Sequence, residues 1–376
     1  MFFRDIIGQN DIKSRLLSSV NEGFIPHAQL FCGPEGVGKL PLALAYAQYL
    51  NCTDRQDGDS CGKCPSCVKY GHLAHPDLHF VFPTVKKEKE KSPPVCDDYI
   101  AEWREFFGQN AYFNLRQWLA HIGAENAQGL IYERESEEII RKLSLKIYEA
   151  KYKTMLIWMP EKMNRECANK LLKIIEEPTP DTVFLLVSDN PDNIIGTIQS
   201  RSQRVNIRGV ADEDIIAALE QKYSITPQDA ALVAHIARGS YLKAMELVSL
   251  DKENKAFFNL FSRLMRAAIA PKGAKVKKAI SDEIAQIGRE SQKAFLGYAQ
   301  RLVREYFVSN LNRPDMVYLN NEEAQFGVRF APYVNERNIT GFMDEFALAE
   351  RHIEQNVNPK MVFLDLCLKV TMLFKK

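Results

Sequence analysis

The sequence predicts an α/β fold with a mostly parallel sheet, followed by a region made of helices alone. Short apolar runs typical of buried strands alternate with segments of helical spacing up to about residue 208. This alternation is typical of parallel sheets that helices cover on both faces. After residue 208 the strand signals stop, and the later segments have helical periodicity.

The strands and helices of the first part follow in a regular order. Strands are predicted at 28–32, 78–82, 155–159, 183–187 and 203–207. The first helix follows the first strand directly, and Pro41 lies in its first turn, where a missing N–H costs nothing. Further helices are predicted over 136–151 and from the N-cap candidate Asn164 to the residue before Pro178.

Residues 83–136 form an insertion to which the sequence assigns no role. The charged run KKEKEK (86–91) and the prolines after it predict a solvated loop. Residues 95–135 are too rich in aromatic side chains for disorder, so we expect added helices packed on the core. The aromatic residues are Trp103, Phe106, Phe107, Tyr112, Phe113 and Trp118.

Composition indicates an ordinary globular protein with more than one domain. The 376 residues correspond to two or three domains at about 150 residues each. The net charge of +1 lacks the overall basic excess of many nucleic-acid-binding proteins. The start MFFRDIIGQN is unlike a signal peptide, and the most apolar stretch contains Asp365 and Lys369 and is too short to span a bilayer. We therefore expect a soluble, cytoplasmic protein.

Four of the eight cysteines are clustered with the spacing C-x8-C-x2-C-x2-C, namely Cys52, Cys61, Cys64 and Cys67. In a cytosolic protein such a cluster indicates a metal site rather than disulfides. Four thiolates in a tetrahedral array suit Zn²⁺ and leave no open position for a catalytic water, so a structural zinc is predicted. The remaining cysteines are interpreted as buried single thiols: Cys32, Cys96, Cys167 and Cys367.

Three histidines follow the cysteine cluster within GHLAHPDLH. His72, His75 and His79 could form a second metal site. The alternative is that His79 is a packed residue in a strand and that His75 closes a turn before Pro76.

The segment GPEGVGKL matches the phosphate-binding pattern G-x-x-x-x-G-K. The candidate nucleotide-binding residues are Gly33, Gly36, Gly38 and Lys39. Leu40, however, stands where a hydroxyl should hold Mg²⁺. The loop is either a structural turn without nucleotide or a nucleotide site, so binding of ATP or ADP stays open here.

Hydrolysis also needs acidic residues at the end of a neighbouring buried strand. The candidate strand 155–159 ends in Trp158 and Met159, which carry no carboxylate, and Glu161 comes after a proline, where it opens the next turn. The ligands for Mg²⁺ are therefore missing in two independent places, and we expect no ATP hydrolysis.

Five segments, taken together, carry a family resemblance. They are FRDIIGQNDI (3–12), HAQLFCGPEGVGK (27–39), NKLLKIIEEP (169–178), IQSRSQR (198–204) and ARGSYLKAM (237–245). With the cysteine module after the first helix, they resemble the clamp-loader branch of the AAA+ proteins, and within it the delta-prime family of the bacterial DNA polymerase III clamp loader. The resemblance covers 1–82 and 137–250, is weak over 83–136 and is generic over 251–376.

The resemblance implies both the fold and the limits of the domains. Residues 1–208 would form an AAA+ P-loop core, with the zinc module at 52–70 and the unassigned insertion at about 83–136. Residues 209–250 would form a small helical lid, and 251–376 a C-terminal helical collar for oligomerisation.

The departures from the family's ATPase subunits concern residues that hydrolyse ATP. Trp158 and Met159 stand where those subunits have Asp and Glu. Ser202 replaces the cysteine of the Ser-Arg-Cys motif, and Leu242 replaces a lid arginine that contacts phosphate. The resemblance thus implies a non-hydrolysing subunit of the DNA polymerase III holoenzyme that supports ATP-dependent loading of the sliding clamp on DNA during replication.

The implied partners are the gamma/tau ATPase subunits and the delta subunit in a hetero-oligomer, with the sliding clamp and primer-template DNA reached through the complex and no membrane. An alternative is an active clamp-loader ATPase motor subunit with unusual metal coordination. A third hypothesis, a zinc-dependent nucleic-acid-binding module, is disfavoured by the neutral net charge and by the lack of a basic aromatic stripe.

The resemblance makes Arg201 the candidate catalytic residue, which would act in trans. Composition alone would make it a surface arginine in a polar turn before a strand. In the family, however, this arginine reaches the ATP of the neighbouring subunit. A planar, permanently charged guanidinium can stabilise the charge on a transferred γ-phosphoryl group. Arg204 and Arg208 are lesser candidates.

The last predicted helix opens with Asn358 as N-cap and Pro359 at its first position. Apolar residues then surround nearly its whole circumference, so we expect burial on most sides. Either a collar shared with other subunits or an internal helical bundle would provide that burial.

Overall fold

The computed structural model describes the chain except residues 57, 87–91, 126, 224, 270–273, 312–316, 318 and 376. It consists of two compact units, Met1–Val248 and Ser249–Lys376. Each unit has its own hydrophobic core.

The first unit contains a five-stranded sheet in which every pair of neighbours is parallel, in the order β2-β3-β4-β1-β5. The strands are β1 (Ala28–Cys32), β2 (Leu78–Val81), β3 (Lys153–Trp158), β4 (Thr182–Ser188) and β5 (Gln203–Asn206). The three central strands, β3, β4 and β1, are buried along their whole length. The predicted α/β fold with a parallel sheet is confirmed.

Eleven α-helices accompany this sheet in the described part of the chain, and the last of them continues past residue 248. They are α1 (Asn10–Asn21), α2 (Lys39–Asn51), α3 (Pro65–Gly71), α4 (Ile100–Gln109), α5 (Leu115–His121), α6 (Glu133–Ser144), α7 (Arg165–Glu176), α8 (Gly196–Arg201), α9 (Asp212–Tyr223), α10 (Pro227–Ala237) and α11 (Tyr241–Ile269). The predicted cap of α7 is present, because the Asn164 side chain accepts a hydrogen bond from the Cys167 N–H at 2.9 Å.

Helix α6 ends at Ser144, so the helix predicted over 136–151 was too long. The cause is Asp77, whose carboxylate accepts hydrogen bonds of 2.7 to 2.9 Å from three consecutive backbone N–H groups, those of Tyr148, Glu149 and Ala150. These N–H groups are therefore satisfied outside a helix. Asp77 lies about 70 residues earlier in the chain, so local periodicity contains no sign of this contact.

The insertion packs on the core through aromatic rings, as predicted. Trp103 of α4 is fully buried and stacks on Phe82 with ring centroids 4.2 Å apart. Trp118 of α5 is also fully buried, and its indole N–H donates to the Pro83 carbonyl at 2.8 Å. Helices α4 and α5 are thereby fixed beside strand β2.

The second unit is all-helical over the residues that the structure describes. After the end of α11 it contains α12 (Ala274–Ile284), α13 (Arg289–Ser309), α14 (Asn321–Phe330), α15 (Ile339–Glu354) and α16 (Pro359–Leu373). Its core includes Phe295, Leu302, Phe342 and Phe363, which are fully buried. In neither unit is any described helix long and apolar enough to cross a membrane.

Helix α16 begins as predicted, with Asn358 as cap and Pro359 at its first position. Within this chain alone the helix is not buried on most sides, and its burial by other subunits stays a prediction. Met361, Leu368 and Met372 are 69%, 47% and 57% exposed. Because these residues are spaced seven and four apart, they form one apolar stripe on the solvent side of the helix.

His79 occupies strand β2, in agreement with its interpretation as a packed residue. Burial lowers its pKa to about 4, and the nearby ammonium groups of Lys142 and Lys153 act in the same direction. The unfolded chain therefore binds a proton at His79 from about pH 6.5 downwards, whereas the folded chain resists it until about pH 4. As the pH falls through this window, the free energy of unfolding decreases by about 1.4 kcal/mol per pH unit.

We expect His79→Gln to remove this dependence. Between about pH 7 and about pH 4.5, the free energy of unfolding should fall by about 2 kcal/mol less in the variant than in the wild type. Urea titrations at several pH values measure the difference. His72→Gln is the matched control, because His72 is exposed on the surface. Parallel pH profiles of wild type and His79→Gln would contradict the prediction.

Candidate functional site

The phosphate loop lies between β1 and α2, and its shape depends on three glycines. Gly36 and Gly38 have φ angles of +80° and +89°, which side chains rarely allow. A Cβ atom at Gly33 would collide with the Ile207 carbonyl, and one at Gly36 would lie 2.7 Å from the Cβ of Leu242. The loop therefore keeps the backbone conformation of a phosphate-binding motif. The N-terminus of the following helix, α2, points at the loop.

Lys39, the basic residue of the motif, is bound by groups of its own chain. Its side chain is 3% exposed, and its ammonium lies 2.6 Å from the Asp189 carboxylate. It also donates a hydrogen bond to the Pro34 carbonyl. Asp189 directly follows β4. The Asp189 carboxylate thus pairs with the ammonium group that would contact the phosphate of a bound nucleotide.

Aromatic side chains fill the space over the loop. A cavity of only about 20 Å³ remains there, and Tyr112, Phe113 and Trp158 contribute to its walls. Tyr112 accepts a hydrogen bond from the Ile7 N–H at 2.9 Å, and its ring lies edge-on to Tyr241 with centroids 4.9 Å apart. Pockets for small ligands usually measure about 300 to 1,000 Å³. The cavity over the loop is thus far smaller than an ordinary pocket for a small ligand.

The end of β3 offers no ligand for Mg²⁺. Trp158 packs against the insertion, with its ring centroid 5.1 Å from that of Phe113. Met159 has a left-handed backbone, and its N–H donates to the Val187 carbonyl. Glu161 lies in a short 3-10 helix, and its carboxylate accepts from the backbone N–H groups of Asp189 and Asn190 at 3.0 and 3.1 Å. The carboxylate of Glu161 thus holds the turn after β4.

Arg201 is the last residue of the short helix α8, and its placement in a turn was wrong. The backbone closes this helix with a hydrogen bond from the Gln199 N–H to the Ile195 carbonyl. The Arg201 side chain is 31% exposed and lies 2.9 Å from the Glu176 carboxylate. It also donates to the Thr197 carbonyl at 3.1 Å. The guanidinium is therefore partly exposed but already paired.

The four clustered cysteines converge in space. The sulfur atoms of Cys52, Cys61, Cys64 and Cys67 all lie within 4.8 Å of one another. Four sulfurs at 2.3 Å from one tetrahedral ion would be about 3.8 Å apart, so the cluster fits a Zn²⁺ ion. Four backbone N–H groups point at sulfur atoms of the cluster at 3.3 to 3.4 Å, those of Cys61, Lys63, Cys64 and Cys67. Such donors favour the thiolate form that binds metal.

The three histidines near the cluster do not converge. Among the described residues, no group of metal-ligating side chains includes His72, His75 or His79. His75 is buried, its Nδ1 accepts from the Asp77 N–H at 3.1 Å, and its Nε2 lies 3.4 Å from the Glu149 carboxylate. His75 therefore belongs to the turn before β2, as its alternative interpretation expected.

Three contacts at the site were missed by the sequence reasoning: Asp189 on Lys39, Glu176 on Arg201, and Tyr112 over Gly38. The nearest sequence signals were a polar segment after strand β4, the Glu-Glu pair before Pro178 and the aromatic insertion. Each signal marks one partner of a contact and says nothing about the other.

Comparison with known proteins finds relatives among the subunits of DNA polymerase III. A DNA polymerase III subunit gamma of Buchnera aphidicola is 26% identical over 314 residues, which are 78% of this chain and 75% of that protein. A DNA polymerase III subunit delta' of Pseudomonas aeruginosa is 31% identical over 46% of this chain and 41% of its own length. A delta' subunit of Haemophilus influenzae is 26% identical over 66% and 64%. The matches cover less than two thirds of either delta' relative.

The family comparison agrees with these relatives. The family described as "DNA polymerase III, delta subunit" matches residues 8–211, a span that includes the phosphate loop, the cysteine cluster and Arg201. The resemblance to clamp-loader delta-prime subunits is thereby confirmed. Since the match takes in more than half of the chain, the protein belongs to the DNA polymerase III delta-subunit family.

Proposed function

We propose that this chain is a non-hydrolysing, delta-prime-like subunit of the DNA polymerase III clamp loader. It would support ATP-dependent loading of the sliding clamp on DNA during replication without hydrolysing ATP itself. The observation that carries this proposal is the closed phosphate loop, with its cavity of about 20 Å³.

Three independent features of the loop support the absence of hydrolysis. Asp189 pairs with Lys39 at 2.6 Å and so competes for the ammonium that would contact the outer phosphates. Leu40 supplies no oxygen for Mg²⁺, and neither does Trp158 at the end of β3. Correcting any one of these three defects would leave the other two in place.

We further propose that Arg201 acts as an arginine finger for a neighbouring ATPase subunit. It ends a surface helix, and 31% of its side chain is exposed. Its guanidinium could contact two oxygens of the neighbour's γ-phosphate at once. The chain would then contribute to catalysis in trans.

The proposed assembly places this chain beside gamma/tau ATPase subunits and a delta subunit in the cytoplasm. The core would comprise residues 1–208 with the zinc module at 52–70, followed by the lid at 209–250 and the collar at 251–376. The exposed apolar stripe of α16 supports a collar role, because other subunits would cover Met361, Leu368 and Met372.

The test is nucleotide binding and hydrolysis by the isolated chain. We expect no bound ATP in equilibrium dialysis, no rise in melting temperature on adding ATP with Mg²⁺, and no phosphate release. Leu40→Thr should behave like the wild type, because Trp158 and Met159 still supply no carboxylate. Tyr112→Ala, checked for folding by circular dichroism, should enlarge the cavity without producing turnover.

Turnover by the wild type or by Leu40→Thr would overturn the proposal. It would favour the alternative, an active clamp-loader ATPase motor subunit with unusual metal coordination. A gamma subunit from the same family, with its nucleotide titrated in parallel, is the positive control for the assay.

A further inference from the structure

The surroundings of Arg201 contain an anion of the same chain. The guanidinium lies 2.9 Å from the Glu176 carboxylate and donates to the Thr197 carbonyl. Its Nε is buried and has no hydrogen-bond partner among the described residues. The guanidinium is thus held back on its own subunit, in an arrangement that leaves one donor unsatisfied.

Glu176 stands at a position that is unfavourable for a carboxylate. It is the last residue of α7, where the helix dipole is negative, and Glu177 follows it directly. Acidic side chains are stabilised at the start of helices and destabilised at their ends. The positive charge of Arg201 offsets this cost, so the ion pair stabilises the Glu176 carboxylate at the helix end.

We propose that Glu176 is a positioning residue that keeps Arg201 against its own chain until the γ-phosphate of a neighbour's ATP competes for the guanidinium. The inference rests on the proposed role of Arg201 in trans. A carboxylate and a phosphate are both anions, so the presence of one weakens the binding of the other to the same guanidinium. In the paired state the buried Nε–H of Arg201 stays unsatisfied, which makes this state less favourable than one in which every donor is bound.

Removing the charge at residue 176 should therefore release Arg201. Glu176→Gln keeps the size of the side chain and removes the competing anion. Glu177→Gln is the matched control, since it removes a neighbouring exposed charge and changes the general electrostatic field in the same way.

The first measurement uses the isolated chain and does not depend on any partner. The rate at which phenylglyoxal modifies Arg201 is followed by mass spectrometry of the peptide that contains it. The ion pair is partly exposed, so we expect Glu176→Gln to raise this rate about two- to fivefold. Glu177→Gln should react like the wild type, and Arg204 within the same region serves as an internal reference.

The second measurement uses the reconstituted complex with its ATPase subunits. Glu176→Gln should lower the KM for ATP about two- to fivefold while changing kcat little, because competition with the phosphate is reduced. Combined with Arg201→Ala, the effect of Glu176→Gln should disappear. A purely structural role of Glu176 would not produce this coupling.

The outcomes separate this inference from the proposal on which it rests. If Arg201→Ala lowers hydrolysis but Glu176→Gln equals Glu177→Gln in both measurements, the finger role stands and the role of Glu176 is wrong. If Glu176→Gln exposes Arg201 but Arg201→Ala leaves hydrolysis unchanged, the pair is structural only, and both the finger role and the inference are wrong.

Discussion

Replacing Arg201 by alanine is expected to lower the ATPase rate of a reconstituted clamp-loader complex and to leave its assembly intact. An arginine finger is worth about 10³ to 10⁵ in rate at the site it serves. The loss for the whole complex should be partial, because other active sites would have fingers from other neighbours. The variant should fold normally, since a partly exposed ion pair contributes about 1 kcal/mol at most.

Arg201→Lys should restore little of the lost activity. An ammonium keeps the charge, but it cannot make the two-pronged contact of a guanidinium with phosphate. Arg204→Ala tests the lesser candidate in parallel, because Arg204 is exposed three residues away and pairs with Gln199. Steady-state ATPase and clamp-loading rates are measured for all three variants. Unchanged rates in both Arg201 variants would make this residue an ordinary surface arginine.

Removing the predicted zinc should unfold the cysteine module and leave the central sheet largely intact. Structural zinc contributes about 10 kcal/mol or more in small zinc-binding peptides. We expect one zinc per chain and its loss in Cys64→Ser. The module also holds the chain start, because Asp59 accepts from the Phe3 and Arg4 N–H groups at 3.1 Å. Limited proteolysis should therefore open both the module and the first residues.

Metal analysis and thiol titration decide the zinc prediction. Cys367→Ala is the matched control, because this buried cysteine lies in the second unit and should not affect metal content. Circular dichroism of Cys64→Ser should retain most of the helical signal. Pure wild-type protein with well under one zinc and four freely titrating thiols would contradict the prediction.

The three central strands could be predicted well because they are buried on both faces. Parallel strands of this kind read as continuous apolar runs, and the segments at 155–159 and 183–187 are such runs. Strand β3 begins two residues before the predicted start, at Lys153, whose ammonium is satisfied by the carbonyls of Lys142 and Leu143. Hydrophobic pattern alone places no lysine in a buried strand.

The candidate site could be predicted only where its chemistry is local. The glycines of the loop and the four cysteines are recognisable by spacing, because each group acts within a short segment. The pairs Lys39–Asp189 and Arg201–Glu176 join residues that lie 150 and 25 positions apart. Such partners depend on which strand neighbours which, and the sheet order places β4 beside β1.

Tyr112 closes over the phosphate loop and belongs to the same chain as the loop. A free nucleotide stabilises its site only according to its concentration relative to its Kd. Tyr112 belongs to the same chain and connects Ile7, the loop at Gly38 and Tyr241 at every concentration of nucleotide. If the loop binds no nucleotide, as proposed, the stability of the region around it does not depend on the cell's ATP level.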